Sequence, residues 1–351
     1  MGLPQINIVF EHVISTLVER SNRGVVTILL KDDKALGITE LIDKTEIPNE
    51  LSEENKIYIE QAFIGNVTSP NKVILYVIGE EDTLEKGLSL LETVDFNYIC
   101  MPEATEAENT SIKNWIIKRR NDYKSKVKAV LANCDADNEG IINYTTDVTI
   151  DKTNIPAKNF TSRIAGLIAG TPLSQSVTYA ILPEVTDITK LDKDTSNAKI
   201  DNGELILIKE CGAARIARGV NSLKQVKLGQ TESFKKIKLI DVMDLIHNDI
   251  KKIIIDGYSG KVANSYDNKC LLLITLLNYL DEISKEELIE RNYTLDIDIE
   301  KQRKFLNENG INTTNMKELD IKKANTGAKV FLKGKATTID AMEDFYIDFD
   351  I

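Results

Sequence analysis

The 351-residue chain is poor in the residues on which several kinds of site depend. It has two histidines and four widely spaced cysteines, Cys100, Cys134, Cys211 and Cys270. The absence of a CxxC pair argues against a disulfide framework and against a structural zinc site. We interpret the cysteines as reduced core thiols of a cytoplasmic protein, and we expect no cofactor.

Aromatic residues, positive charge and long apolar runs are also scarce. Aromatics make up 6% of the chain and the net charge is −11, so nucleic-acid binding by a basic surface with stacking rings is not expected. The longest mostly apolar stretch, 270–277, is far short of the roughly 18 to 20 residues that cross a bilayer. The N-terminus lacks the pattern of a secretory signal. The sequence predicts an acidic, soluble protein with no membrane partner.

Four short apolar runs mark the first part of the chain, between residues 21 and 150. They are residues 25–30, 73–78, 96–101 and 127–132. Each is rich in β-branched residues and apolar on both faces, which is typical of buried parallel strands. Helical patterns separate them, capped by Ser52, by Thr83, and by Asn109 or Thr110. This order predicts an α/β domain with a largely parallel sheet.

Residues 151–327 mix helical and strand patterns without that alternation. Helices are predicted over 240–256 and 265–283, and strands over 204–208 and 293–299. This region is therefore predicted to be an α+β domain.

Both ends of the chain alternate apolar and polar residues. The apolar positions are Ile6, Ile8 and Phe10 at the N-terminus, and Val330, Leu332, Phe345, Ile347 and Phe349 within the C-terminal runs 330–337 and 345–351. Each run is predicted to be a strand with no obvious partner in its own domain. Such a terminal strand either closes the local sheet or adds to the sheet of a neighbouring chain.

The loops after the predicted parallel strands are acidic and lack a glycine-rich phosphate motif, so they would repel a dinucleotide. Asp32, Asp33, Asp135 and Asp137 could instead hold Mg²⁺. The alternative function is therefore a Mg²⁺-dependent enzyme that processes nucleotides or phosphates. A calcium loop beginning at Asp135 fails at its twelfth position, which is Thr146.

Two further features have simple structural interpretations. His247 lies in a predicted helix without a second histidine or a cysteine at ligand spacing, so we interpret it as a structural or surface residue. Gly166 and Gly170 have the spacing that allows a helix to pack closely against a neighbour.

Residues 209–252 carry ten basic and five acidic side chains, a local balance of +5. Lys251 and Lys252 fall near the end of the predicted helix, where cations are stabilised by the helix dipole. The basic residues therefore either stabilise the end of the helix or form a basic surface that contacts an acidic partner.

Several stretches together resemble contractile tail sheath proteins of bacteriophages and of phage-tail-like bacteriocins, particularly those of Gram-positive bacteria. They are residues 20–30, 163–173 (RIAGLIAGTPL) with 176–179, 203–208 with 218–223 (RGVNSL), 234–250, 261–269 and 325–349. They cover the second half of the chain densely and the first half thinly. None of them is a catalytic signature.

The resemblance implies a two-domain, non-enzymatic sheath subunit with extended terminal β-strand arms. The N-terminal arm would span residues 1–20, the α/β domain 21–150, the tube-facing α+β domain 151–327, and the C-terminal arm 328–351. Six-fold rings would stack helically around a tail tube, linked by strand exchange between subunits, and contract to drive the tube through a target envelope. The implied partners are other copies of the chain and the tail tube, baseplate and tail terminator proteins.

The resemblance also implies which residues make these contacts. The two terminal arms would pair with neighbouring subunits, and a basic face would contact an acidic tube. We expect that face to include Lys235, Lys236, Lys238, Lys251 and Lys252. Assembly is expected in the bacterial cytoplasm, before release as part of a phage or tail-like particle.

Overall fold

The computed structural model of the chain describes residues 24–79 and 82–350. The predicted N-terminal strand with Ile6, Ile8 and Phe10 lies outside the described residues. The strands are β1 (Val25–Lys31), β2 (Gly37–Leu41), β3 (Lys72–Ile78), β4 (Tyr98–Cys100), β5 (Lys128–Ala132), β6 (Ile141–Tyr144), β7 (Val148–Ile150), β8 (Thr153–Ile155), β9 (Asp187–Ile188), β10 (Glu204–Leu205), β11 (Leu207–Glu210), β12 (Ala213–Ile216), β13 (Thr294–Ile297) and β14 (Leu332–Lys335). The helices are α1 (Glu53–Ile64), α2 (Leu84–Leu90), α3 (Glu106–Asn121), α4 (Thr161–Ala169), α5 (Lys193–Asp201), α6 (Ile237–Gly257), α7 (Tyr266–Lys285), α8 (Ile299–Glu308) and α9 (Glu318–Lys323).

Within the described residues, seven strands form one sheet in the order β10-β6-β5-β4-β1-β3-β2. All neighbours are parallel except the edge strand β2, which runs antiparallel to β3. The prediction of a largely parallel sheet is confirmed. Strand β10 lies beyond residue 150 and pairs with β6, so the sheet takes in a strand from the region predicted to be α+β.

The sheet is buried on both faces because helices cover each side. In β1, Val26 and Ile28 point into a core shared with α1 and α4, whereas Val25 and Leu29 point into a core shared with α2 and α3. This two-sided burial explains the continuous apolar runs in the sequence.

Side-chain caps begin three of the helices that cover this sheet, α1, α2 and α3. Ser52 and Thr83 cap α1 and α2, as predicted. The predicted start of α3 at Asn109 or Thr110 is wrong, because the helix begins after Thr105. The hydroxyl of Thr105 accepts a hydrogen bond from the backbone N–H of Glu108, whose carboxylate accepts one from the Thr105 N–H in return.

Helix α4 packs tightly on α1 because Gly166 has no side chain. A Cβ atom at Gly166 would lie 2.0 Å from the backbone oxygen of Ala62, and one at Gly170 would lie 2.0 Å from that of Thr68. The interpretation of the two glycines as a packing device is confirmed.

The α6–α7 helix pair forms a separate core in the second half of the chain. Val242 and Leu245 of α6 pack with Leu276 and Tyr279 of α7. The predicted strand over 204–208 is split, because β10 joins the large sheet while β11 forms an antiparallel hairpin with β12. None of the helices in the described residues is both long enough and apolar enough to span a membrane.

Candidate assembly interface

The C-terminal end of the described chain carries a series of exposed apolar side chains. Residues 339–350 have no assigned strand or helix, so the predicted strand is not formed over residues 345–350. The exposed fractions are 87% for Met342, 68% for Phe345, 93% for Tyr346, 67% for Ile347 and 83% for Phe349. Alternation with Asp348 and Asp350 keeps the pattern of a strand, but in the described part of the chain no other strand pairs with it.

The same segment is attached to the body of the subunit through Glu343, whose side chain is 5% exposed. Its carboxylate Oε1 accepts hydrogen bonds from Ser176 Oγ at 2.7 Å and from Thr178 Oγ1 at 2.6 Å. Its Oε2 accepts a hydrogen bond from Lys236 Nζ at 3.0 Å. Burial raises the pKa of Glu343, but these hydrogen bonds outweigh it and hold the pKa below its usual range.

Two neighbouring carboxylates reinforce this attachment. Arg218 Nη2 donates to Asp344 Oδ1 at 2.5 Å, and Lys236 also forms an ion pair with Asp340. Asp340, Glu343 and Asp344 are therefore held by the chain's own basic residues, whereas Met342 and the apolar residues from Phe345 onwards are exposed.

The other predicted C-terminal strand has a partner in its own chain. Strand β14 pairs antiparallel with β13, and Leu332 lies opposite Ile297. The prediction that this run lacks a partner in its own domain is therefore wrong, because β13 is brought beside it by the fold. Val330 lies before β14 and is 43% exposed.

Three of the predicted tube-contacting lysines have contacts within the subunit. Lys235 forms an ion pair with Glu232 at 2.8 Å, and Lys236 binds the C-terminal segment. Lys238 is 6% exposed, and burial lowers its pKa.

Lys251 and Lys252 lie instead on the last part of α6, beside an open groove of about 400 Å³. Lys126 and Asp256 also line this groove. The structure thus separates this pair from Lys235, Lys236 and Lys238.

The acidic loops that suggested a Mg²⁺ site are used to hold the fold together. Asp32 Oδ2 accepts from the Ser52 N–H at 3.0 Å and from Asn55 Nδ2 at 2.8 Å, while its Oδ1 accepts from the backbone N–H groups of Asp33 and Lys34. Burial raises the pKa of Asp32, but these hydrogen bonds lower it to well below its usual range.

The second acidic loop contacts the segment that follows β12. Asp137 Oδ1 accepts from the backbone N–H groups of Lys224 and Gln225 at 2.6 and 3.0 Å, and Asp135 forms an ion pair with Lys224 at 2.5 Å. No group of three or more potential metal ligands occurs in residues 24–79 and 82–350.

A buried cluster of charges was missed by the sequence interpretation. Arg120 binds both carboxylate oxygens of Asp244, at 2.8 and 3.1 Å. Lys128 lies 2.8 Å from Asp244 and 3.0 Å from Asp241, which also accepts from Tyr98 Oη at 2.5 Å. The cluster joins α3, β4 and β5 to α6. The available signal was Lys128 itself, since a lysine inside a buried strand requires a counterion.

The histidine and cysteine interpretations have different outcomes. His247 is half-buried and its Nδ1 lies 3.2 Å from Asn248 Oδ1, which is compatible with the interpretation of a structural or surface residue. Cys100 and Cys134 are buried thiols, but Cys211 is exposed in the turn between β11 and β12, so the interpretation of all four as core residues is wrong.

Comparison with known proteins gives consistent matches along the chain. A family model described as the phage tail sheath protein central domain matches residues 77–222, and one described as the phage tail sheath C-terminal domain matches residues 229–351. A tail sheath protein of Clostridium phage phiCD119 is 46% identical over an alignment 351 residues long, which covers 99% of this chain and 98% of that protein.

Solved structures share the fold at low sequence identity. A sheath tail protein from Desulfitobacterium hafniense gives a TM-score of 0.70 at 18% identity, covering 85% of this chain and 94% of that chain. A chain in the six-fold symmetrised cryo-EM structure of the anti-feeding prophage baseplate gives 0.68 at 13% identity, covering 100% and 99%.

The matching models and the phage relative are tail sheath proteins, which are structural, so the alternative of a Mg²⁺-dependent enzyme is wrong. Since 46% identity extends over nearly the full length of both sequences, this chain belongs to the phage tail sheath protein family.

Proposed function

We propose that the chain is the subunit of a contractile sheath, in which six-fold rings stack helically around a tail tube and are linked by strand exchange. The extended sheath is a metastable assembly on the tube, and contraction releases free energy by forming better interfaces between subunits. The sheath assembles inside the bacterial cell from a baseplate and is capped by a tail terminator protein. The six-fold symmetry of the structurally similar baseplate assembly supports the ring geometry.

The observation that carries the proposal is the exposed segment 345–350. Phe345, Ile347 and Phe349 expose two-thirds or more of their surface, which is costly for a monomer in water because apolar area stays hydrated. Adding this segment as a strand to a neighbouring subunit would bury the apolar side chains and pair the backbone groups. Each subunit would both donate and accept a strand, which is a heterologous contact that propagates without closing along the axis.

The N-terminal arm with Ile6, Ile8 and Phe10 is proposed to pair in the same way. The proposed division of the subunit places the N-terminal arm at residues 1–20, the exchanged part of the C-terminal region 328–351 at residues 345–351, since β14 pairs within its own chain, and the tube-facing domain at residues 151–327.

The tube contact is proposed to involve Lys251 and Lys252. These two lysines line the groove at the end of α6 together with Lys126. Lys236 binds the C-terminal segment and Lys238 is buried, so these two lysines are left out of the proposed contact. Contacts between these lysines and an acidic tube would be screened by salt and reversible, as contraction requires.

Electron microscopy of the purified chain tests the strand exchange. We expect sheath-like tubes or stacked rings from the full chain, and only dispersed subunits after deletion of residues 345–351, which keeps the attachment at Glu343 intact. Equal assembly of the two chains would refute the exchange.

Proline substitutions give a matched pair within the segment. Successive backbone N–H groups of a strand point to opposite sides, so Ile347→Pro and Asp348→Pro each remove one donor from a different edge. An added edge strand predicts that one substitution blocks assembly and the other is tolerated. Tolerance of both would refute backbone pairing.

Charge reversal tests the tube contact separately. Lys251→Glu with Lys252→Glu should abolish loading onto purified tail tubes at low salt. The control reverses Lys301 and Lys304 of α8, which are exposed, and should load normally. Equal loading of both variants would refute the assignment.

A further inference from the structure

The carboxylate of Glu343 occupies a site formed by distant parts of the chain. Ser176 and Thr178 follow α4, and Lys236 precedes α6, yet all three donate to the same side chain. Three donors on a carboxylate that is 5% exposed form a specific binding site rather than a loose surface contact.

This site holds the acidic residues that precede the exposed apolar run 345–350. At residues 343 and 344 the side chains are bound by Lys236 and Arg218, and from Phe345 onwards they are exposed. A flexible tail would lose more conformational entropy on strand addition than a tail whose starting point is already fixed.

We propose that Ser176, Thr178, Arg218 and Lys236 form an anchor that binds Glu343 and Asp344 of the same chain and sets where the exchanged strand leaves the subunit. The proposal rests on the strand exchange proposed above. Glu343 is thus a positioning residue. Because the anchor stays within one subunit, it persists while residues 345–351 pair with a neighbour, and the rotation of subunits during contraction is confined to the chain beyond it.

Carbodiimide cross-linking tests which subunit supplies Glu343. This reagent joins an amine and a carboxylate that are in ion-pair contact, such as Lys236 and Glu343. Assemblies are made from a mixture of ¹⁵N-labelled and unlabelled full-length chains, and the cross-linked peptides are analysed by mass spectrometry. The anchor predicts that Lys236–Glu343 peptides carry one isotope only. Peptides of mixed isotope would show that the site holds a neighbour's Glu343, which would overturn the anchor while leaving strand exchange intact.

Substitution tests the consequence for assembly. Loss of hydrogen bonds to a charged group predicts that Glu343→Gln raises the protein concentration needed for assembly by about 10- to 100-fold. Ser176→Ala removes one donor and should give a smaller increase. The matched control is Glu40→Gln, which removes an exposed ion pair with Lys72 and should leave assembly unchanged. Assembly of Glu343→Gln at the same concentration as the unmodified chain would overturn the anchor.

Failure of the anchor can be distinguished from failure of the proposed function. If the unmodified chain never assembles, the strand exchange fails, and the cross-link is then measured in the free chain. A Lys236–Glu343 cross-link in the free chain would show that the attachment within one chain exists and that only its proposed role in strand exchange is overturned, whereas the absence of this cross-link would overturn the attachment itself.

Discussion

The buried charge cluster between α3, β5 and α6 allows a quantitative test of the packing of α6 on the sheet. Asp244 is the shared counterion of Arg120 and Lys128, and all three side chains are 7% exposed or less. Asp244→Asn keeps the shape of the side chain but removes its charge. Two buried cations would then depend on Asp241 and on Glu139, whose carboxylate lies 3.6 Å from Arg120 Nε.

Removing one partner of a buried ion pair lowers the free energy of unfolding by about 3 to 5 kcal/mol, because the other partner is left as an uncompensated charge in a medium of low polarity. Since Asp241 and Glu139 compensate in part, we expect Asp244→Asn to lower the free energy of unfolding by about 3 kcal/mol, the low end of that range. Guanidinium unfolding followed by Trp115 fluorescence measures this. Trp115 is the only tryptophan of the chain, and its ring stacks on Phe96 with centroids 6.2 Å apart.

Two further variants test whether the loss of charge causes the destabilisation by Asp244→Asn. The surface variant Glu40→Gln should cost no more than about 1 kcal/mol, because its ion pair is exposed. Adding Lys128→Met to Asp244→Asn removes one cation that has lost one of its two counterions, so the double variant should be more stable than the sum of the single effects by about 0.5 to 3 kcal/mol. A loss of stability in Asp244→Asn no larger than that in Glu40→Gln would show that the buried charge cluster does not hold α6 on the sheet.

Three other outcomes are expected. Burial raises the pKa of Asp244, but Lys128 and Arg120 lower it by more, so the pKa lies below its usual range. The stability difference between the unmodified chain and Asp244→Asn should therefore be complete above pH 3.8, the ordinary pKa of aspartate, and should shrink as the pH falls through the depressed value. A constant difference in unfolding midpoint down to pH 2 would contradict this. Gly166→Ala should lower the free energy of unfolding by about 1 to 3 kcal/mol, because the new methyl group would overlap the backbone of α1. Gly257→Ala, which has nothing within 4 Å of the added carbon, should be nearly neutral in the same unfolding assay. Asp32→Ala should lower the free energy of unfolding by about 1 to 3 kcal/mol, because hydrogen bonds to the start of α1 are lost. Added Mg²⁺ should leave the melting temperatures of the unmodified chain and of Asp32→Ala unchanged. A rise in melting temperature for the unmodified chain alone would instead indicate a metal site.

Local pattern was sufficient to place the buried parallel strands. β1 and β5 begin and end within one residue of the predicted runs, because a strand covered on both faces must be apolar throughout. The start of α3 was also present in the sequence, as Thr105 followed three residues later by Glu108. The prediction instead began the helix at the residues just before its apolar spacing, which misses a polar first turn.

The C-terminal runs show where local pattern is insufficient. Both runs alternate apolar and polar residues as strands do. Strand β14 pairs with β13 of the same chain, whereas residues 345–350 do not form a strand. Alternation indicates that a segment can form a strand, but it does not identify the strand with which that segment pairs.

The order of buried strands and helices, the packing glycines and the family follow from residues that are consecutive or closely spaced in the chain. Which charges pair follows only from the folded structure, which brings Lys236 to Glu343 and Lys128 to Asp244. These partners are more than one hundred residues apart, and a charged residue in a sequence looks the same whether it faces solvent, a tube or its own counterion. The pairing follows from burial, which makes an unpaired charge too costly to keep.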